Sequence, residues 1–224
     1  MESGMKELNQ QIFNFENNKS LNANDFFVSR SNYYAYELIN SWPKWEKKIV
    51  NICGEKYSGK SHISNIFIQK FKGRIIYANT VNNETLNSLK TYENIVLENF
   101  SKSVNENLIY SLFNLMDQDN KYLVINSQIP INEIDFKLDD LKSRLKNCLV
   151  AKIQNPDDEM IYALIVKNFA DRQISLDKKL IDFIIKRIDR SYGKIFEFIY
   201  KIDEISLKKK KSINLNIIKE TLKD

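Results

Sequence analysis

The octapeptide Gly54-Glu55-Lys56-Tyr57-Ser58-Gly59-Lys60-Ser61 constrains this 224-residue chain more than any other stretch. It satisfies G-x-x-x-x-G-K-[ST] at every specified position, directly after an apolar run at 49–53 and directly before a helical pattern over 61–71. Strand, loop and helix in that order turn backbone N–H groups inward, where they can cradle phosphates at a helix N-terminus. Lys60 then contacts the outer phosphates and the Ser61 hydroxyl is placed for Mg²⁺. The chain has five glycines, and two of them, Gly54 and Gly59, stand where the loop requires them. Tyr57 is unusual, since many such loops have a small residue there; it either narrows the loop or covers the ligand.

The rest of the chain supplies a frame for that loop. Short apolar runs at 49–53, 74–78, 95–97, 122–125 and 148–153 alternate with helical patterns. They predict an α/β fold with a five-stranded parallel sheet covered on both faces. One helix is expected over 104–117, with Val104, Leu108, Leu112 and Leu115 along one face. A short helix over 31–41 stops before Pro43, and Trp42 and Trp45 are expected to pack it onto the sheet. From 155 onward no strand pattern occurs. Helices are expected near 157–169, 177–189, 191–208 and 214–222, with Pro156 in a first turn and Asp177 as a cap. The predicted organisation is a loosely ordered tail at 1–24, an α/β nucleotide-binding domain at 25–154 and an all-helical lid at 155–224.

Several function classes are excluded. The two cysteines, Cys53 and Cys148, and the lone His62 rule out a disulfide scaffold and a thiolate or histidine-rich metal site. Both thiols read as buried strand residues, and the low cysteine count fits a cytoplasmic location. No stretch is apolar enough to span a bilayer, and no membrane partner is expected. The net charge of +5 is spread along the chain. Only the lysines at 208–211 cluster, which is short of the basic face that nucleic acid requires.

A metal at Ser61 needs a carboxylate from a neighbouring strand, and Ile95-Val96-Leu97-Glu98-Asn99 offers one. Glu98 is the second metal-ligand candidate, its extra methylene expected to carry the charge outward relative to aspartate. Asn99 stands where a hydrolytic enzyme would need a general base, and an amide cannot serve as one. Binding is therefore better supported than hydrolysis.

With these parts placed, the chain resembles the AAA+ ATPase segment of the DnaA family, and its short Hda branch in particular. The resemblance is carried by Asp25-Phe26-Phe27-Val28 with Ser31-Asn32, by Gly59-Lys60-Ser61-His62, and by the strand ending Glu98-Asn99. Val124-Ile125-Asn126-Ser127 with Pro130, and Leu141-Lys142-Ser143-Arg144-Leu145, continue it in order. It implies that Val28 runs along the nucleotide and that Gly54, Tyr57, Ser58, Gly59, Lys60, Ser61 and His62 surround its phosphates. His62 by itself reads as local packing beside that loop. Asn126 corresponds to the family's first sensor, although a strand-end cap is an equal reading. For the lid's second sensor Lys194 is the first candidate, with Gly193 and Arg190 as alternatives from other alignments. Arg144 corresponds to a finger that reaches a neighbouring subunit's nucleotide; taken alone it would be a surface ion-pair residue.

The implied cofactors are ADP or ATP with Mg²⁺, and the implied partners are DnaA and the DNA polymerase sliding clamp (its beta subunit). Gln10-Gln11-Ile12-Phe13-Asn14-Phe15 resembles the branch's clamp-docking peptide, with Gln10, Ile12, Phe13 and Phe15 as anchors. The alternative is that these aromatics pack on their own domain. DnaA continues into a DNA-binding domain where this chain runs out, so sequence-specific DNA binding is not expected. Pairing into a homo-dimer stays open. The function this implies is a nucleotide-bound regulatory adaptor. It would sit on the clamp and promote hydrolysis of DnaA-bound ATP through Arg144, with weak or no turnover of its own, and so limit re-initiation. A self-contained AAA+ ATPase related to helicase loaders, and a DnaA paralogue that binds DNA, are the alternatives.

Overall fold

A computed structural model describes residues 23–209 and 211–222. The α/β part runs α1 (Tyr33–Asn40), β1 (Ile49–Cys53), α2 (Lys60–Phe71), β2 (Arg74–Tyr77), α3 (Asn83–Ser88), β3 (Asn94–Phe100), α4 (Glu106–Gln118), β4 (Tyr122–Ser127), α5 (Asp139–Lys146) and β5 (Leu149–Lys152). The five strands form one sheet in the order β2-β3-β4-β1-β5, and every paired neighbour is parallel. Because β1 lies between β4 and β5 while its crossover leads to β2 at the far edge, the chain divides at the C-terminal end of β1. Ligands of open α/β sheets bind at such a division.

Strand alternation sends apolar side chains to both faces of the sheet. Ile49, Ile95, Leu97, Leu123 and Ile125 enter one core with Ile109, Leu112, Phe113 and Met116 of α4 and Leu141 and Leu145 of α5. Their neighbours Val50, Ile52, Val96 and Val124 point to the other face, against Ala35 and Ile39 of α1 and Ile63 and Phe67 of α2. Each such side chain contributes about 1.5–3 kcal/mol on burial. Trp45 stacks on Phe67 at 5.5 Å and Trp42 lies 4.7 Å from Phe71, so both tryptophans fasten the lead-in to α2 as expected. Cys53 and Cys148 are buried.

Four helices follow: α6 (Asp158–Ala170), α7 (Lys178–Ile185), α8 (Tyr192–Lys209) and α9 (Leu215–Thr221). They close on their own isoleucine-rich core, which includes Ile161, Ile165, Ile184, Ile195, Ile199 and Ile218. Asp157, Asp177 and Asn214 cap α6, α7 and α9 through side-chain oxygens that accept N–H groups of the first turn. Among the described residues no helix is long and apolar enough to cross a membrane.

Some expectations shift. Asp157, not Pro156, begins α6, because the carboxylate takes the Met160 N–H at 2.8 Å. The buried stripe of α4 is Ile109, Leu112, Phe113 and Met116, with Leu108 and Leu115 at its margin. Val104 precedes the helix, which Asn105 caps, and the buried face is centred about one residue further round than the expected one. The expectation for β3 covers three residues, but the strand extends from Asn94 to Phe100. The short α3 buries none of its own side chains, so it leaves no apolar period to read.

Candidate functional site

The loop after β1 has the backbone its glycines imply. A Cβ on Gly54 would lie 2.9 Å from Ser58 Oγ and 3.1 Å from Ile153 Cβ, so nothing larger fits without movement. Gly59 has φ +93° and would direct a side chain at the Phe26 ring. Tyr57 is also left-handed, at φ 71°. Lys60 opens α2 and folds back into the loop, where its Nζ donates to the carbonyls of Gly54 and Glu55 at 2.8 Å each. Burial pushes the Lys60 ammonium below its ordinary pKa, against the opposing pull of Glu98, Cys53 and Glu55. Ser58 Oγ is buried without a hydrogen-bond partner.

Beside the loop stands the acid. Glu98 is 5% exposed. Its Oε2 accepts from Ser61 Oγ at 3.1 Å and its Oε1 from Asn126 Nδ2 at 2.8 Å. The expectation that its longer side chain carries the charge outward is therefore corrected: the strand turns Glu98 inward. Strand alternation puts it on the face of Val96, toward α2. Directly after it β3 is irregular, with two residues passing one of β4 so that Phe100 returns to the face of Leu97. Asn99 absorbs it at φ 58°, a conformation asparagine tolerates better than most residues. Burial drives the Glu98 carboxyl above the usual glutamate range, only partly offset by Asn126, Ser61 and Lys60. Asn126 also donates to Ser64 Oγ at 2.7 Å, and its Oδ1 is buried with no partner. Asn126 is thus more than a strand-end cap, since it touches the acid directly.

These residues fit a nucleotide and a divalent cation. Ser61 Oγ and the Glu98 carboxylate present two hard oxygens 3.1 Å apart, the donor type Mg²⁺ takes. Two buried polar atoms have no hydrogen-bond partner here, Ser58 Oγ within the loop and Oδ1 of the Asn126 that donates to Glu98. The cradle at Gly54 and Gly59 would be filled by any Cβ.

Three more parts converge here. Phe26 stacks on Tyr36 at 5.6 Å and meets the His62 ring edge-on at 5.0 Å, so the segment before α1 lies against the start of α2. His62 therefore packs locally, and Val28 follows two residues after Phe26, half-buried. Ser31 is a junction: its Oγ meets Tyr192 OH at 3.2 Å, its N–H donates to Asp157, and its carbonyl accepts from Gln154. Glu55 reaches the first turn of α8, where Ser191, Tyr192 and Gly193 all donate to its carboxylate. Of the lid candidates, Lys194 pairs with Glu197 at 2.9 Å and Arg190 with Asp158 at 2.6 Å, whereas Gly193 alone meets the loop, through its N–H. Arg144 lies on α5 and is engaged by α4: it pairs with Asp117, donates to Asn114 at 2.6 Å and lies over Tyr110. Gln10, Ile12, Phe13 and Phe15 lie outside the described residues.

The sequence motifs include Glu55, Phe26 and Ser31 without giving them these contacts, and Asn51 lies outside every motif. Asn51 is a fully buried amide in the central strand, which donates to Ile125 O and Ser127 Oγ and accepts Ile131 N–H. A lone asparagine inside an otherwise apolar strand was the available signal.

A phosphate loop that follows a central strand, faces an acid on the next strand but one and is met by a C-terminal helical lid belongs to the AAA+ class of P-loop folds. Residues 157–222 match the family model "Hda, lid domain". The lid is therefore similar to that of Hda, and the chain as a whole is similar to DnaA. The chromosomal replication initiator DnaA of Caldanaerobacter subterraneus subsp. tengcongensis is 25% identical over 225 aligned positions, covering 89% of this chain and 51% of that protein. The chain thus spans about half the length of the curated relatives it matches. Domain III of Thermotoga maritima DnaA superposes with a TM-score of 0.72 at 20% identity, over 92% of this chain and 97% of that one. AMPPCP-bound DnaA from Aquifex aeolicus superposes with a TM-score of 0.63 at 19% identity, over 84% and 66%. At that identity the structural likeness speaks for the fold.

Proposed function

We propose that this chain is a nucleotide-holding regulatory adaptor of replication initiation. The observation that carries the reading is the pairing of a complete phosphate loop and metal-ligand pair with an asparagine at 99, in a left-handed conformation, beside the acid. That set can bind ADP or ATP, and it offers no carboxylate at 99 to take a proton from water. The DnaA relative that carries AMPPCP on the same fold supports nucleotide as the ligand. Loop N–H groups and Lys60 would hold the phosphates, Ser61 and Glu98 would hold Mg²⁺, and Asn126 would orient the acid. When bound, the cation would neutralise phosphate charge.

Arg144 acts elsewhere in this reading. Its guanidinium is held by α4, away from the chain's own loop, on the helix before β5. A planar fork there can leave an exposed ion pair for another subunit's phosphates at small cost. Its target is ATP bound by DnaA, with the tail at 10–15 docking on the sliding clamp.

Nucleotide turnover should be measured for the chain alone, then with clamp-loaded DNA and ATP-loaded DnaA. The expected result is negligible turnover alone and stimulation in the full mixture. Arg144→Ala should remove stimulation while sparing nucleotide and clamp binding, and deletion of 10–15 should remove clamp binding with the fold intact. Brisk turnover by the chain alone overturns the reading.

A further inference from the structure

The contact between Glu55 and the lid is more elaborate than a nucleotide site requires. Glu55 is the second residue of the phosphate loop. Its Oε1 accepts Ser191 Oγ at 2.5 Å and the Gly193 N–H at 3.0 Å, and its Oε2 accepts the Tyr192 N–H at 2.9 Å. These donors form the first turn of α8, the 18-residue helix of the lid. The leading amides of a helix have no acceptor within it, and the helix dipole favours an anion there. Glu55 is therefore a helix cap supplied from 136 residues earlier in the chain.

The surroundings are shaped to it. A Cβ on Gly193 would stand 3.0 Å from Glu55 Oε1, so the glycine leaves room for the carboxylate. Two residues after Glu55, the Tyr57 ring packs 5.1 Å from Phe196, one turn into α8. On the far side Tyr192 is held by Ser31. The cations of this stretch, Arg190 and Lys194, pair with Asp158 and Glu197 instead of reaching the loop.

We propose that Glu55 is an internal latch, a carboxylate that fastens α8 onto the phosphate loop with or without nucleotide. It thereby sets how the lid answers the nucleotide's charge. With the receptive end of α8 filled by the protein's own anion, a terminal phosphate gains no lid contact there, and ADP and ATP meet the same closed lid. Glu55 is a positioning residue in this scheme. The consequence for nucleotides rests on the function proposed above; the latch does not.

Hydrogen exchange resolved at the Tyr192 and Gly193 amides, on the full chain, tests both layers. In the nucleotide-free protein these amides should be protected, and Glu55→Ala should speed their exchange by about tenfold or more, the weight of a charged hydrogen bond. Gly193→Val, which crowds the carboxylate out and leaves the loop sequence untouched, should do the same. In the unaltered chain, Mg·ADP and Mg·ATP should change that protection by less than about twofold and bind with similar affinity, whereas in both variants protection should become nucleotide-dependent. The ATP-to-ADP affinity ratio should then rise by about threefold or more, a shift that loss of packing alone would not produce. Equal exchange in the unaltered chain and Glu55→Ala without nucleotide would overturn the latch. If neither nucleotide binds the unaltered chain, the site reading fails, and the nucleotide-free comparison still decides the latch.

Discussion

Two glutamates meet one phosphate loop, Glu55 within it and Glu98 beside its Ser61, and the fold treats them in opposite ways. Glu98 is buried, and its partners are a hydroxyl and an amide, both neutral. Burial outweighs those bonds and holds its carboxyl above the ordinary glutamate range. Glu55 is half-buried. Burial is again the largest single influence on it and acts upward, yet the bonds from Ser191, Gly193 and Tyr192, with Lys60 nearby, together take it below that range. A buried carboxylate short of positive partners invites a cation; one enclosed by three donors is already satisfied. The difference separates a metal-ligand role from a fastening role within a few residues of the same loop.

Lys60 is the charge both glutamates share, since each raises its pKa against burial. Removing it should break the comparison most severely. Lys60→Ala should lower Mg·ADP affinity by about a hundredfold, a loss of roughly 3 kcal/mol, measured by titration calorimetry. Its backbone partners are loop carbonyls, so circular dichroism should show the fold retained. Next comes Glu98→Gln, which keeps shape and removes charge. It should abolish the gain that Mg²⁺ gives to nucleotide affinity, about tenfold, while leaving the affinity without Mg²⁺ nearly unchanged. A full Mg²⁺ effect in that variant would take Glu98 out of the metal shell.

The two carboxylates should also separate by pH. Because the native pKa of Glu98 is raised, its stabilising contribution is complete below the ordinary glutamate value and is lost as pH rises through the native value. Glu55 has the opposite sign: its contribution is present above the ordinary value and is lost as pH falls through its lowered native value. At pH 7 without nucleotide, Glu98→Gln should raise the melting temperature by roughly 2–4 °C, and Glu55→Gln should lower it by a similar amount. The first difference should close on acidification before the ordinary glutamate value is reached, the second only beneath it. Thermal melts of both variants between pH 7 and pH 3 check this, and closure of both differences in one window would show that the two groups share an environment.

How much of this was legible in the sequence follows the range of the interactions. The sheet could be read because its strands are short apolar runs, and the loop because its glycine and lysine spacing is a local backbone demand. The lid's cap at Asp177 could be read for the same reason, whereas at α6 the proline drew attention from the Asp157 cap beside it. Glu55 could not, since nothing near residue 55 shows that the N-terminus of a helix at 192 returns to it. Phe26 lies against Gly59, and Ser31 against Tyr192 and Asp157, through tertiary geometry alone. The inward turn of Glu98 was hidden differently. Alternation gives its face, that of Val96, but not the closure of Ser61 and Asn126 around it, which comes from neighbouring elements.

The extra residue in β3 gives the smallest test. Asn99 can be understood chemically, as an amide where a base would sit, or conformationally, as a residue able to hold φ 58° and so return Phe100 to the core directly after Glu98. Asn99→Gly meets the conformational demand with no side chain at all. It should change stability by less than ~0.5 kcal/mol and leave the Mg²⁺ enhancement intact. Asn99→Val resists the left-handed region, should cost about 1–2 kcal/mol and should weaken the Mg²⁺ effect as the strand end beside Glu98 shifts. Asn99→Asp retains the tolerance for positive φ and adds a carboxylate. Turnover by that variant alone should exceed that of the unaltered chain if position 99 is near enough to water to matter. If glycine and valine prove equally mild, the bulge does not hold the strand end beside Glu98, and the contrast between the two glutamates must come from burial alone.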